Sequence, residues 1–279
     1  IGCQSCGLDA SPDRAEQEPY CALVWGLAAC QSGAMSNTTL PDLAVVLPAY
    51  NESGNLGPLV TEIDAALQGV AHEIVVTDDV STDDTRARLL ALKTQFPQLR
   101  VLAHRQNAGQ SRALRTAIMP ARAPMIATLD SDGQNVPADI PALFTQMTRD
   151  DAPATLGMVG GRRAKRKDTA AKRLGSRIGN GVRKRLLHDE ADDTGCGLKV
   201  FRRQAFLELP YFDHIHRYLP ALMLREGYSC EYRDVDHRER GAGESKYTNF
   251  GRLKVSIADL RGVRWLISRS RQSGGFDEL

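Results

Sequence analysis

From Leu43 onward, short runs that are apolar throughout alternate with stretches in which apolar residues recur every three or four positions. Leu43–Tyr50, LAVVLPAY, is a continuous β-rich run. It is followed by Leu56, Leu59, Val60, Ile63 and Leu67, spaced for one face of a helix that Ser53 or Asn55 can cap. Glu73–Thr77 and then Thr82–Gln95 repeat the strand–helix pair. Arg100–His104, a helix near Gln110–Met119, and Met125–Asp130 continue it. After Pro137 a helix over Ala138–Thr148 leads to an apolar run at Thr155–Arg163, then a basic helix around Ala170–Leu187. Gly197–Arg203 and Cys230–Glu239 read as further strands, the second alternating as a half-exposed edge does. Uniformly apolar strands joined through helices predict an α/β fold, a mostly parallel sheet with helices on both faces. Ligands of such sheets bind beyond the carboxyl ends of the strands. Tyr50–Glu52, Asp78–Asp79 and Asp130–Gln134 therefore fall along one edge of the molecule.

The chain has 279 residues, 42% of them hydrophobic, and a formal net charge of +2. Without internal repeats or low-complexity linkers, it reads as one domain over 35–246 with a C-terminal segment, 247–279. Residues 1–34 read as a disordered or non-native extension. Their longest apolar run, CALVWGLAAC (Cys21–Cys30), falls short of the roughly 20 residues of a membrane span and follows an acidic leader. Four of the six cysteines lie in that leader, so the body reads as reduced and cytoplasmic. Charge changes the picture locally: between Arg162 and Arg185 there are eleven Lys or Arg and one acid, Asp168. Such a run is a solvated helical face, or a surface for a phosphorylated substrate or an anionic membrane. Nucleic acid is disfavoured, because aromatics for base stacking are nearly absent there. Tyr247–Arg271 interleaves apolar side chains with Arg and Lys, as an interfacial helix or a pair of short ones does; a helix packed on its own domain is the alternative.

Three clusters carry candidate chemistry. Asp130, Asp132 and Gln134 offer hard oxygen ligands at a spacing that suits Mg²⁺ or Mn²⁺, or else form a turn with helix-capping acids. In Val75–Thr85 (VVTDDVSTDDT), Ser81, Thr82 or Asp83 can cap a helix, whereas Asp78 and Asp79 precede the cap. Pro48–Asn55 (PAYNESGN) brings an aromatic, an amide and Glu52 to the neighbouring strand end.

Together VVLPAYNE, VVTDDVSTDDT, DSDGQ and RGAGESK, in this order, resemble the inverting family 2 glycosyltransferases with a GT-A fold. The likeness is to the branch of dolichyl-phosphate mannosyltransferase and bacterial polyprenyl-phosphate glycosyltransferases, over about Leu43–Lys246. The resemblance implies that Pro48, Tyr50 and Glu52 contact the nucleotide, with Asp79 near the base or ribose. It places Asp130, Ser131, Asp132 and Gln134 at a divalent metal, Mg²⁺ or Mn²⁺, under the donor diphosphate. Arg162 then binds phosphate, and Arg240, Ser245 and Lys246 close on the donor. Lys172 and Ser176 fall where relatives hold the acceptor phosphate. Asp193 orients the acceptor or serves as a base, or is a structural turn acid. Val80 stands where the family has Gly, and is strained if that position needs a positive φ. Lys172 replaces an Arg, which costs bidentate geometry but not charge.

The implied reaction moves a hexose from a nucleotide diphosphate sugar, GDP-mannose or a UDP-hexose, to a polyprenyl (undecaprenyl or dolichyl) phosphate. It would proceed with inversion, on the cytoplasmic face of a membrane to which the protein binds peripherally, directly or through an anchoring partner. Transfer to a polysaccharide hydroxyl and a degenerate donor-binding scaffold are the alternatives.

Overall fold

Seven strands lie in one sheet in the order β3-β2-β1-β4-β6-β5-β7. The structure, a computed structural model, describes residues 40–163, 181, 183–189, 191, 193–238 and 249–271. The strands are β1 (Leu43–Ala49), β2 (His72–Asp78), β3 (Leu99–Ala103), β4 (Met125–Thr128), β5 (Leu156–Arg163), β6 (Lys199–Arg202) and β7 (Ser229–Val235). Among them β6 alone runs against its neighbours, pairing antiparallel with both β4 and β5. The helices are α1 (Leu56–Ala66), α2 (Thr85–Leu92), α3 (Gln110–Ile118), α4 (Ile140–Thr148), α5 (Arg203–Glu208), α6 (Leu219–Arg225) and α7 (Asn249–Ser268).

The period-2 alternation of β1 divides the core between the two faces of the sheet. Leu43, Val45 and Leu47 pack with Leu56, Leu59, Ile63 and Leu143 of α1 and α4 on one face. Ala44 and Val46 pack on the other with Leu114 and Ile118 of α3, Phe206 of α5 and Leu222 of α6. The expected α/β layering is therefore observed. Glu73, fully buried in β2, accepts hydrogen bonds from Arg100 of β3 and from Arg122 in the loop before β4. Burial opposes its charge, but these donors outweigh it and hold the carboxyl below its usual range.

Several local expectations change. Asn55 makes no side-chain cap to α1; its amide donates to Glu52 Oε2 at 2.7 Å instead. The helix α2 is shorter than Thr82–Gln95, and Asp83 Oδ1 accepts the N–H of Thr85 at 3.0 Å just before it. The strand β7 is an edge, as its alternation indicates. Within the described residues the C-terminal segment forms one helix, α7. Val263 of α7 is fully buried against the α6 face, while Val255, Ile257 and Trp265 are exposed. No described helix is long and apolar enough to cross a membrane. The extension 1–34 and most of the basic helix lie outside the described residues.

Candidate active site

The carboxyl ends of β1, β2 and β4 meet at one edge, and because β6 is antiparallel its amino end arrives there too. The loop after β4 is held from three directions. Ser131 Oγ donates to the Pro48 carbonyl at 2.7 Å, and Thr128 Oγ1 donates to the Gly197 carbonyl at 2.7 Å. Asn135 pairs with His237, while Arg238 donates its backbone N–H to Gln134 and its Nε–H to the Gly133 carbonyl. Gly133, at φ +74°, makes the turn. Within the loop Asp132 Oδ1 accepts the N–H of Gln134 at 3.1 Å, and Gln110 at the start of α3 donates to Asp130 Oδ1 at 2.8 Å. Gly197 lies so close that a Cβ there would sit 2.3 Å from Asp130 Oδ2.

Burial, and then the charge of Asp132, raise the Asp130 carboxyl above its usual range; Lys199 and Arg163 act in the opposite sense. An acid held back from ionising by burial and by a neighbouring carboxylate is what a divalent cation would relieve. Among the described residues no three His, Cys, Asp or Glu side chains gather as a metal site. Asp130 and Asp132, with the Gln134 amide, thus fit a hard cation whose remaining ligands come from a substrate.

The other expected residues spread around this edge. Tyr50 is exposed and Glu52 half-buried at the end of β1. Both Asp79 oxygens are engaged at the loop before α3, by His104 Nδ1 and the N–H of Ala108 on one side and the N–H of Gly109 on the other. Asp78 is bound by Arg86 and by the Ser81 N–H. Val80 between these acids and the next turn has φ +62°, the strained conformation its β-branch disfavours. Arg162 is exposed and donates to Asp234 of β7 at 2.6 Å. Its neighbour Arg163, on the opposite face of the strand, forms a bidentate pair with buried Asp193 at 2.6 and 2.7 Å. Lys172, Ser176, Arg240, Ser245 and Lys246 lie outside the described residues.

A cavity of about 760 Å³ opens beside Asp130 and Gln134, between β4, β6, α3 and α7. Leu114, Ile118, Phe201 and Phe206 make part of it apolar; Lys199 and Arg217 bring charge. Gln110, Gly197, Lys199, His216 and Arg217 were not singled out by motif spacing. The signal for Gly197 was its place in GCGLK, where a glycine opens a strand whose partner ends in an aspartate.

The glycosyl transferase family 2 model matches residues 44–209. The chain belongs to that family. This family 2 chain is 30% identical over 241 residues to a dodecaprenyl-phosphate galacturonate synthase of Rhizobium johnstonii, covering 84% of this chain and 70% of that protein. It is 31% identical over 215 residues to an undecaprenyl-phosphate 4-deoxy-4-formamido-L-arabinose transferase of Shewanella sediminis, covering 76% and 63%. It therefore spans less than two thirds of the second relative. A solved mannosyltransferase of Pyrobaculum calidifontis, in complex with GDP-Man and Mn²⁺, superposes with a TM-score of 0.57 at 17% identity, covering 86% of this chain and 67% of that one. That likeness concerns the fold, and the GT-A architecture expected of a family 2 member is the one observed.

Proposed function

We propose that the protein transfers a hexose from a nucleotide diphosphate sugar, GDP-mannose or a UDP-hexose, to a polyprenyl phosphate, using Mg²⁺ or Mn²⁺. The observation that carries this reading is Asp130 at the wall of the cavity, in a pinned loop that also holds Asp132 and Gln134. The names of the two relatives, both polyprenyl-phosphate sugar enzymes, and the Mn²⁺ in the mannosyltransferase complex support it.

Asp130, Asp132 and Gln134 would hold the cation, which when bound stabilises the charge that gathers on the departing diphosphate. Pro48 and Ser131 keep the loop in register with β1 through their 2.7 Å hydrogen bond. Tyr50 and Glu52, at the end of β1, would contact the nucleotide. Asp79 fixes the start of α3, and so Gln110, against Asp130. A phosphate acceptor has a second pKa of about 6, is mostly dianionic at neutral pH, and needs no general base. Asp193 favours this acceptor over a sugar hydroxyl, because both its oxygens already accept from Arg163. Asp193 then serves to hold Arg163. Arg162, Lys172 and Ser176 for the acceptor phosphate, and Arg240 with Lys246 for the donor, belong to the same reading on their motifs. The exposed apolar and basic side chains of α7 suit a peripheral seat on the inner, anionic leaflet, or on an anchoring partner.

Radiolabelled GDP-mannose and UDP-glucose are to be incubated with undecaprenyl phosphate and Mg²⁺ or Mn²⁺, beside Asp132→Ala. Metal-dependent label in the lipid phase, reduced at least 100-fold in the variant, is expected. Metal-dependent nucleotide binding without transfer to any lipid phosphate would overturn the reaction and favour the scaffold reading.

A further inference from the structure

Besides Asp130, the cavity is lined by α3 and by residues between Ile215 and Leu219, where charged and polar groups join the apolar ones. Lys199 is buried there and donates to the Cys196 carbonyl. Arg217 is half-buried, and among the described residues its side chain has no hydrogen-bond or ion-pair partner. His216 lies between them in sequence and charge: its Nδ1 is 2.8 Å from the hydroxyl of fully buried Ser111. Burial, followed by the charges of Arg217 and Lys199, pushes the His216 ring well below its usual pKa, so it stands neutral at pH 7. A neutral ring whose Nδ1 is engaged by Ser111 keeps Nε2 as its second hydrogen-bonding atom, and His216 lines the cavity. The remaining walls, from Leu114, Ile118, Phe201 and Phe206, are apolar and lower the local dielectric. A half-buried guanidinium with no partner on the protein among the described residues keeps its donors for an anion that enters the cavity.

We propose that Arg217, with Lys199 and His216, forms an anion subsite for a negatively charged oxygen group carried by a substrate. The inference rests on the glycosyltransferase reading above and adds to it the chemistry of what enters the cavity. Two substrates carry such a group within reach of Asp130: a donor whose sugar bears a carboxylate, and the acceptor with its phosphate. Arg217 suits either, since its planar fork matches carboxylate and phosphate alike. The cavity volume is within the roughly 300–1,000 Å³ usual for small-molecule sites, enough for a sugar ring beside the metal loop.

The test is binding, so that it does not depend on turnover. Calorimetry on the full chain with Mn²⁺ would compare UDP-glucose with UDP-glucuronic acid, GDP-mannose with GDP-mannuronic acid, and undecaprenyl phosphate in neutral detergent micelles. Wild type, Arg217→Gln and Arg217→Lys are measured in parallel, each checked for an unchanged unfolding midpoint. The expected result is a loss of about tenfold or more for an anionic ligand in Arg217→Gln, with the neutral-sugar donors within about twofold and Arg217→Lys keeping most of the affinity. Loss confined to the uronic acid donors assigns the subsite to the sugar carboxylate; loss confined to undecaprenyl phosphate assigns it to the acceptor. Equal loss for all ligands, or none for any anionic one, would overturn the proposal, as would failure of the wild type to bind either kind of anion. Binding that follows the expected pattern without any sugar transfer would leave the subsite standing and sink the proposed reaction.

Discussion

At Gly197 one added methyl group would meet the Asp130 carboxylate, with Asn135 Oδ1 only 2.8 Å away on its other side. Neither neighbour is a flexible chain end, since both belong to the pinned loop after β4. Gly197→Ala is expected to weaken Mn²⁺ binding in the presence of nucleotide by about tenfold, or ~1.4 kcal/mol, read by titration. An unchanged affinity would mean that Asp130 is free to move. Val80 is the opposite case, a side chain where the backbone asks for none. Relief of the strain at φ +62° is worth about 1–3 kcal/mol, offset by about 0.5–1 kcal/mol for the added freedom of the unfolded chain. Val80→Gly should therefore stabilise by ~1 kcal/mol and raise the unfolding midpoint by about 2–4 °C in calorimetry. The strain was legible in the sequence because a single residue type departed from a motif. The motif singled out Arg162 and passed over Arg163, because only strand parity leaves Arg162 exposed on Asp234 and Arg163 paired with buried Asp193.

Between elements, Asp83 ties the loop after β1 to the start of α2. Its carboxylate accepts the N–H of Ser53 at 3.3 Å and of Thr85 at 3.0 Å, beside a lattice joining Asn51 to Ser81 and Thr82. Slight burial opposes the charge, yet the hydrogen bonds from Thr85 and Ser53 bring this group down to about 2. A carboxyl depressed in the folded state adds stability that is present above its unfolded value near 4 and is lost as pH falls through about 2. Glu73, also held low, acts in the same direction. Denaturant midpoints should thus fall between about pH 4 and pH 2, and Asp83→Asn should flatten that slope without altering stability's dependence on pH above 5. The strands were legible as short apolar runs, and α1, α3 and α4 because apolar residues recur along them every three or four positions. The helices α5 and α6 were not, being six and seven residues long and set off by Pro210 and Pro220, too short for a 3.6-residue pattern to emerge.

Over the whole molecule, α7 is bound to the domain by Val263 and by hydrogen bonds from Tyr218 to Ser256 and from Arg225 to Leu266. Its outer side leaves Trp265 59% exposed beside Arg261, Arg264, Arg269 and Arg271, which are exposed as well. The full chain should float with vesicles containing phosphatidylglycerol and show a blue-shifted emission that Trp265→Phe removes. Raising salt from 0.15 to 1 M, where screening shortens from about 8 to 3 Å, should release it; binding only to neutral vesicles would contradict this. The antiparallel return of β6 has a further consequence, in time. Asp130 leaves the ribosome about 67 residues ahead of Gly197, which at about 5–20 residues per second is on the order of 3–13 s. Throughout that interval the nascent chain carries an acidic loop whose final wall has not been made. A ribosome paused before residue 197 therefore holds β1 to β4 able to join, while β5 still lacks the strand that links it to them.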